Sequence, residues 1–176
     1  PVHCVEDRRS MAVKSNIVLI GMPGAGKTTL GIEYARMSGL DFLDPDDVIE
    51  EKAGQTLTEI IEERGFDGFV TYEAACICEI DVEGTVISTG GSVVYDEQAM
   101  RHLADLGPIV YLKISLEELE RRLGDLHERG VVLPEGMDSL KDLYDERVRL
   151  YERYAQCTLD VDGLSVADTV SALAAV

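Results

Sequence analysis

Gly21-Met22-Pro23-Gly24-Ala25-Gly26-Lys27-Thr28 matches the phosphate-binding loop pattern G-x-x-x-x-G-K-[ST] at every fixed position. Before it, Asn16-Ile17-Val18-Leu19-Ile20 is a short apolar run with β-branched residues, as a buried parallel strand requires. After it, Thr28 to Met37 carries apolar residues at helical spacing, and Gly39 stands where a C-terminal cap belongs. A chance glycine-rich turn is the alternative reading, and the strand before and helix after argue against it. Gly21, Gly24 and Gly26 let the backbone approach phosphate oxygens without a Cβ in the way. Amides at the helix start, from Ala25 through Thr29, point at the anion. Lys27 is expected to reach the β- and γ-phosphates, and the Thr28 hydroxyl to bind Mg²⁺. The loop therefore implies ATP or a similar nucleoside triphosphate with Mg²⁺.

Working outward, strands and helices alternate. Strands are expected near 16–20, 41–43, 85–88, 108–114 and 158–161. Helices are expected near 46–52, 57–64, 69–80, 96–106, 139–154 and from Ser165 on. Ser115 with Glu118 forms a capping box that starts one more helix. This alternation implies a three-layer α/β/α fold around a five-stranded parallel sheet, with the ligand at the carboxyl ends of the strands. The 176 residues suffice for one domain, over residues 11–176. Residues 1–10 lack a clear period and read as a disordered or non-native extension. Met11 stands just before the first strand and reads as a natural start.

Composition narrows the partners. The net charge is −18, and only five of the 16 basic residues are lysine. Such a surface is a poor match for nucleic acid, which needs a basic face. The acidity reads as a solvated, self-repelling surface, with high-salt adaptation the alternative. Mean hydropathy is near zero, and no apolar run approaches the roughly 20 residues that span a bilayer. There is no apolar segment of the signal-peptide type. Cys4, Cys76, Cys78 and Cys157 are scattered, which fits a reducing, cytoplasmic setting. On a helix Cys76 and Cys78 point about 200° apart, so buried thiols are favoured over a metal pair. A monomer with a small-molecule partner is expected.

Four further stretches carry chemistry. In Asp44-Pro45-Asp46, Asp44 can hold Mg²⁺ or its water, and Asp46 can accept a proton from a hydroxyl; a helix cap with acidic first-turn residues is compatible with both. Gly90-Gly91 at a strand end allow close approach of a substrate. The glycine-bearing stretch 124–137 suits a lid that excludes water, with Arg129 able to neutralise charge on the transferring phosphoryl group. Either Arg147 or Arg149 can clamp a carboxylate.

From residue 16 on, this order of motifs resembles the shikimate kinase family, whose fold is nucleoside-monophosphate-kinase-like with a lid. Phe42-Leu43-Asp44-Pro45-Asp46 is similar to its D-x-D segment, which implies that Asp46 holds substrate hydroxyls. Phe69 and Glu73 match its F-R-x-x-E segment, and Gly90-Gly91 its glycine triplet. The resemblance implies that Arg122 packs on adenine and Arg129 is the lid arginine. It also implies that Arg147, followed by Leu150-Tyr151, grips the substrate carboxylate. The substrate-binding helices would span about 44–80.

The chain departs from the pattern at Val70, where the family has a carboxylate-binding arginine, at Ser92, the triplet's third position, and at Gly130, where the lid has proline. Tyr72 can intrude on the pocket or sit in the core. The expected activity is transfer of the γ-phosphoryl group of MgATP to a hydroxyl of shikimate or a related hydroxy acid. Another polyol or hydroxy amino acid as acceptor, or a non-catalytic nucleotide-binding regulator, are the alternatives.

Overall fold

The computed structural model describes residues 2–4, 16–123, 137 and 139–175. Its six strands are β1 (Val2–Cys4), β2 (Ile17–Ile20), β3 (Asp41–Leu43), β4 (Thr85–Ser88), β5 (Ile109–Lys113) and β6 (Cys157–Asp160). They line up in the order β1-β6-β5-β2-β4-β3. Five of them, β6-β5-β2-β4-β3, run parallel as the alternating pattern requires. The sixth is an addition: β1 pairs antiparallel with β6, Val2 opposite Leu159 and Cys4 opposite Cys157. Three residues from the segment without a clear period thus extend the edge of the sheet. The pairing is made by backbone groups, which leave no periodic signature in three residues.

Seven α-helices accompany the sheet among the described residues: α1 (Lys27–Ser38), α2 (Pro45–Ala53), α3 (Leu57–Cys78), α4 (Glu97–Leu106), α5 (Leu116–Leu123), α6 (Leu140–Tyr154) and α7 (Val166–Leu173). A short 3-10 turn, Val93–Tyr95, follows β4. Val18, Leu19, Ile20, Val86, Ile87 and Ile109 to Leu112 are all buried, so the central strands are covered on both faces. α1 packs against α7, and α3 against α2 and α4.

The two helices expected at 57–64 and 69–80 are found, running on from one another within α3 and separated by a kink at Gly65, whose backbone is non-helical (φ 71°, ψ 172°). Only glycine takes that conformation without strain. A capping box of Thr56 and Glu59 starts the first half. The kink re-aims the second half, which carries Phe69 and Glu73, across the carboxyl ends of the strands.

A single buried side chain ties three of these elements together. Asn16 Nδ2 donates to Val82 O (2.6 Å) and Leu106 O (3.1 Å), while its Oδ1 accepts from the Thr85 amide (3.0 Å). It fixes the entry to β2 relative to β4 and the end of α4, and so fixes where the phosphate-binding loop emerges.

Candidate active site

The loop after β2 closes on the start of α1. Gly26 is the N-cap residue at φ 95°, ψ 17°, the left-handed region. A Cβ there would meet nothing nearer than an Arg122 nitrogen at 3.9 Å. That side of the loop is open to a ligand, so the glycine serves backbone geometry. Gly21 is different: a Cβ on it would lie 2.8 Å from Leu112 O, so this glycine is required by the neighbouring strand.

Lys27 is buried and curls back over the loop, its Nζ donating to Gly21 O (2.8 Å) and Met22 O (2.9 Å). Burial lowers its pKa to about 8, with Arg147 adding to the lowering and Asp46 and Asp44 opposing it. The carbonyls thus hold the ammonium at the mouth of the loop. Thr28 is exposed, and its hydroxyl donates to Asp44 Oδ2 across 3.4 Å. Asp44 also caps α2, its Oδ1 accepting from the Asp46 amide at 3.1 Å. The capping and cleft-facing readings of this segment therefore hold together.

These groups line one cavity of about 520 Å³ at the carboxyl ends of the strands. The loop contributes Gly24, Gly26, Lys27, Thr28 and Thr29. Across from it stand Asp44, Asp46, Gly90, Gly91, Ser92 and Arg147. Burial and then the neighbouring Asp44 raise the Asp46 pKa to about 6, against Lys27. Arg147 is 3% exposed. It pairs with no carboxylate among the described residues: its Nε donates to Tyr95 Oη (3.2 Å), and its guanidinium carbon lies 5.3 Å from the Tyr95 ring centre. A buried guanidinium with no carboxylate partner among the described residues is a ready partner for an anion. Arg147 is thus the arginine that lines the cavity, while Arg149 is exposed on the other side of α6.

Glu73 is 1% exposed and lies behind this wall. Its Oε2 accepts from Ser92 Oγ at 2.8 Å. A Cβ on Gly90 would lie 2.9 Å from Glu73 Oε1 and 3.0 Å from Asp46 Oδ1, and one on Gly91 would lie 2.9 Å from an Arg147 Nη. Both glycines are therefore needed for the acids and the arginine to crowd the same strand end.

Val70 was expected among the substrate contacts, and the structure turns it elsewhere. It packs on an apolar cluster of Ile49, Ile60, Phe69 and Cys76, and it does not line the cavity. One helical step of about 100° separates it from Phe69, which does line it. Phe66, from the turn before, lines it too and meets Tyr95 edge to face at 5.6 Å. Tyr72 points away from the cavity, under the Arg64 guanidinium at 4.4 Å.

Phe66, Tyr95 and Tyr151 were not singled out in the sequence as cavity or support residues. Tyr151 donates to Gly91 O at 2.8 Å. The local signals for it were the Leu150-Tyr151 pair that follows Arg147 in the family pattern and its place one helical turn after that arginine.

A second cavity of about 220 Å³ opens on the other side of the loop, lined by Ala25, Gly26, Thr29, Arg122 and Val166 among others. Arg122 is anchored there by Glu118 (2.7 Å) and reaches Ala25 O at 3.3 Å. Arg129, Gly130 and most of the lid stretch lie outside the described residues. Among the described residues, no cluster of three or more His, Cys, Asp or Glu side chains is arranged to hold a metal, and no helix is long and apolar enough to cross a membrane.

Known proteins agree with this geometry. The family model for shikimate kinase matches residues 23–175. The shikimate kinase of Pasteurella multocida is 37% identical over 155 residues, 86% of this chain and 89% of that protein. A solved structure of shikimate kinase from Acinetobacter baumannii in complex with shikimate superposes with a TM-score of 0.82 at 32% identity, covering 93% of this chain and 92% of that one. A deoxyadenosine kinase from M. mycoides shares the fold alone, with a TM-score of 0.58 at 15% identity over 91% of this chain and 96% of that one. With that family model over most of its length and relatives this similar in sequence, the chain belongs to the shikimate kinase family.

Proposed function

We propose that this chain transfers the γ-phosphoryl group of ATP to a hydroxyl of shikimate or a closely related hydroxy acid. The observation that carries the reading is the convergence, in one cavity, of the phosphate-binding loop with a half-buried aspartate and an arginine that has no carboxylate partner among the described residues. The loop grips the triphosphate. Asp46 orients the acceptor hydroxyl and takes its proton. Arg147 holds the acceptor's carboxylate, and the Phe66 and Phe69 rings close the apolar side.

Lys27 leaves the carbonyls of Gly21 and Met22 for the γ-phosphate and stabilises the charge that develops there. Arg122 flanks the cavity that takes the adenine. Arg129 acts from the lid over 124–137. The protein works as a monomer in the cytoplasm, with residues 11–176 as its catalytic domain.

The Thr28 hydroxyl and the Asp44 carboxylate suit Mg²⁺, a hard cation that takes oxygen ligands and is usually held by one or two protein groups plus the nucleotide phosphates. When bound, the ion neutralises phosphate charge.

The test is ADP release from MgATP with shikimate and with a panel of hydroxy acids, polyols and hydroxy amino acids. Release dependent on shikimate or another hydroxy acid is the expected result. The wider panel is warranted because Val70 brings no charge to the pocket. Nucleotide binding without acceptor-dependent release across the panel would overturn the reading in favour of a regulatory protein.

A further inference from the structure

The Ser92–Glu73 contact is used by nothing in the reaction described above. Ser92 lines the cavity beside Gly91 and Arg147, and its hydroxyl is fixed at 2.8 Å from Glu73 Oε2. Glu73 has no lysine or arginine within ion-pair distance among the described residues. The position three residues before it on α3, a natural place for a partner cation, is Val70. A hydroxyl at position 92 thus takes the place of a positive charge as the partner of a buried acid.

We propose that the Ser92 hydroxyl contacts the bound acceptor and helps to determine which acceptor is used, with Glu73 as the positioning residue that sets which way that hydroxyl points. The proposal rests on the reading that this cavity holds the hydroxy acid.

A serine hydroxyl has one proton and two lone pairs. When Glu73 is ionised, Ser92 gives its proton to the carboxylate and offers the cavity lone pairs only. When Glu73 is protonated, the acid donates to Ser92 Oγ, and the serine proton turns into the cavity beside Arg147. The second state suits an anionic or carbonyl oxygen on the acceptor; the first disfavours it.

Burial raises the Glu73 pKa to about 8, with Asp46 on α2 and Asp96 before α4 adding to the rise, and with Ser92 and Arg147 on α6 opposing it. At neutral pH the donor state therefore prevails, and above pH 8 it is lost. Lys27 on α1 titrates in the same range. Its proton acts on ATP, however, so the two are separable by substrate.

The experiment measures kcat and the KM of acceptor and of ATP at pH 7 and pH 9. The proteins are the wild type, Ser92→Ala, Ser92→Gly and Glu73→Gln, each checked by thermal melting. Loss of one neutral hydrogen bond to the acceptor corresponds to about a 5- to 15-fold rise in acceptor KM. That rise is expected at pH 7 in both serine variants, with kcat within about threefold and ATP KM unmoved. In the wild type the acceptor KM should climb between pH 7 and pH 9.

Glutamine cannot ionise and keeps donating to Ser92, so the ratio of acceptor KM at the two pH values should fall toward one in Glu73→Gln. Any change in ATP KM with pH should persist in that variant. An acceptor KM unmoved in both serine variants, or the same pH ratio in Glu73→Gln as in the wild type, would overturn the proposal and leave the contact as a structural tie. A wild type that turns over no acceptor at all would overturn the underlying function instead.

Discussion

Lys27 and Asp46 are held in states that suit the reaction and work against the empty fold. Lys27 has its charge buried against two carbonyls, and its replacement by methionine keeps the length while removing the charge. Since a preorganised donor aimed at developing charge is worth about 10²- to 10³-fold in kcat, steady-state assays of Lys27→Met should show a loss of that order, with the melting temperature equal to or above wild type. Asp46 has its pKa raised from 3.8 to about 6, first by burial and then by Asp44. Its carboxylate form is the one that accepts a proton, so kcat should rise with pH along a single-proton limb centred near 6. Asp46→Asn should lower kcat by about 10²- to 10⁴-fold. Stability runs the other way. Between pH 4 and 6 the folded state binds more protons at this site than the unfolded chain, so the unliganded protein loses stability as pH rises through that window. Glu73 has the same sign up to about pH 8. Melting of Asp46→Asn against wild type from pH 4 to 7 checks this: the wild-type melting temperature should fall relative to the variant, and parallel curves would refute it.

At the scale of elements, Asn16 is the point where β2, β4 and the end of α4 are joined. Asn16→Ala removes three hydrogen bonds and leaves the Thr85 amide with two carbonyls, of Val82 and Leu106, lacking their partner. Unsatisfied buried groups cost about 1–3 kcal/mol each before relaxation and water entry. A net loss of about 2–4 kcal/mol, or about 5–12 °C in melting temperature for a chain of this size, is therefore expected by thermal denaturation. The phosphate-binding loop hangs from the same strand, so weaker nucleotide binding should accompany it. These elements also mark how far the sequence could be read. The strand, loop and helix around Lys27 announce themselves by local pattern, and so do the Asp44 cap and the helix carrying Arg147, because their signals lie within a few residues. The break at Gly65 was legible in the same way, but not the angle at which it sets the second half of α3. The facing of Val70 depended on that kink. Tyr95 and Phe66 were illegible because they earn their place by contacts across 52 and 29 residues, with Arg147 and each other respectively.

For the whole molecule, the decisive quantity is the excess of 34 acidic over 16 basic residues. The ion pairs among the described residues are mostly exposed, and most join side chains three or four residues apart on one helix. Such pairs contribute little each, and with 34 acids to 16 bases they leave an excess of negative charge unpaired. Long-range repulsion should therefore destabilise the compact state at low ionic strength and be relieved by salt. The Debye length is about 30 Å at 0.01 M and about 10 Å at 0.1 M, so screening removes most of this repulsion early in a titration. The melting temperature should rise by several degrees between 10 mM and about 0.3 M NaCl and then level off. A general stabilisation by solute exclusion would behave differently, increasing steadily with concentration and appearing equally with sucrose. The two shapes are separable in one series at pH 7.5, where Asp and Glu on the surface are ionised. A flat response below 0.3 M would mean that the charges are spaced or paired well enough for repulsion to be negligible. A steady rise continuing past 1 M would assign the effect to solute exclusion and not to the charge of −18.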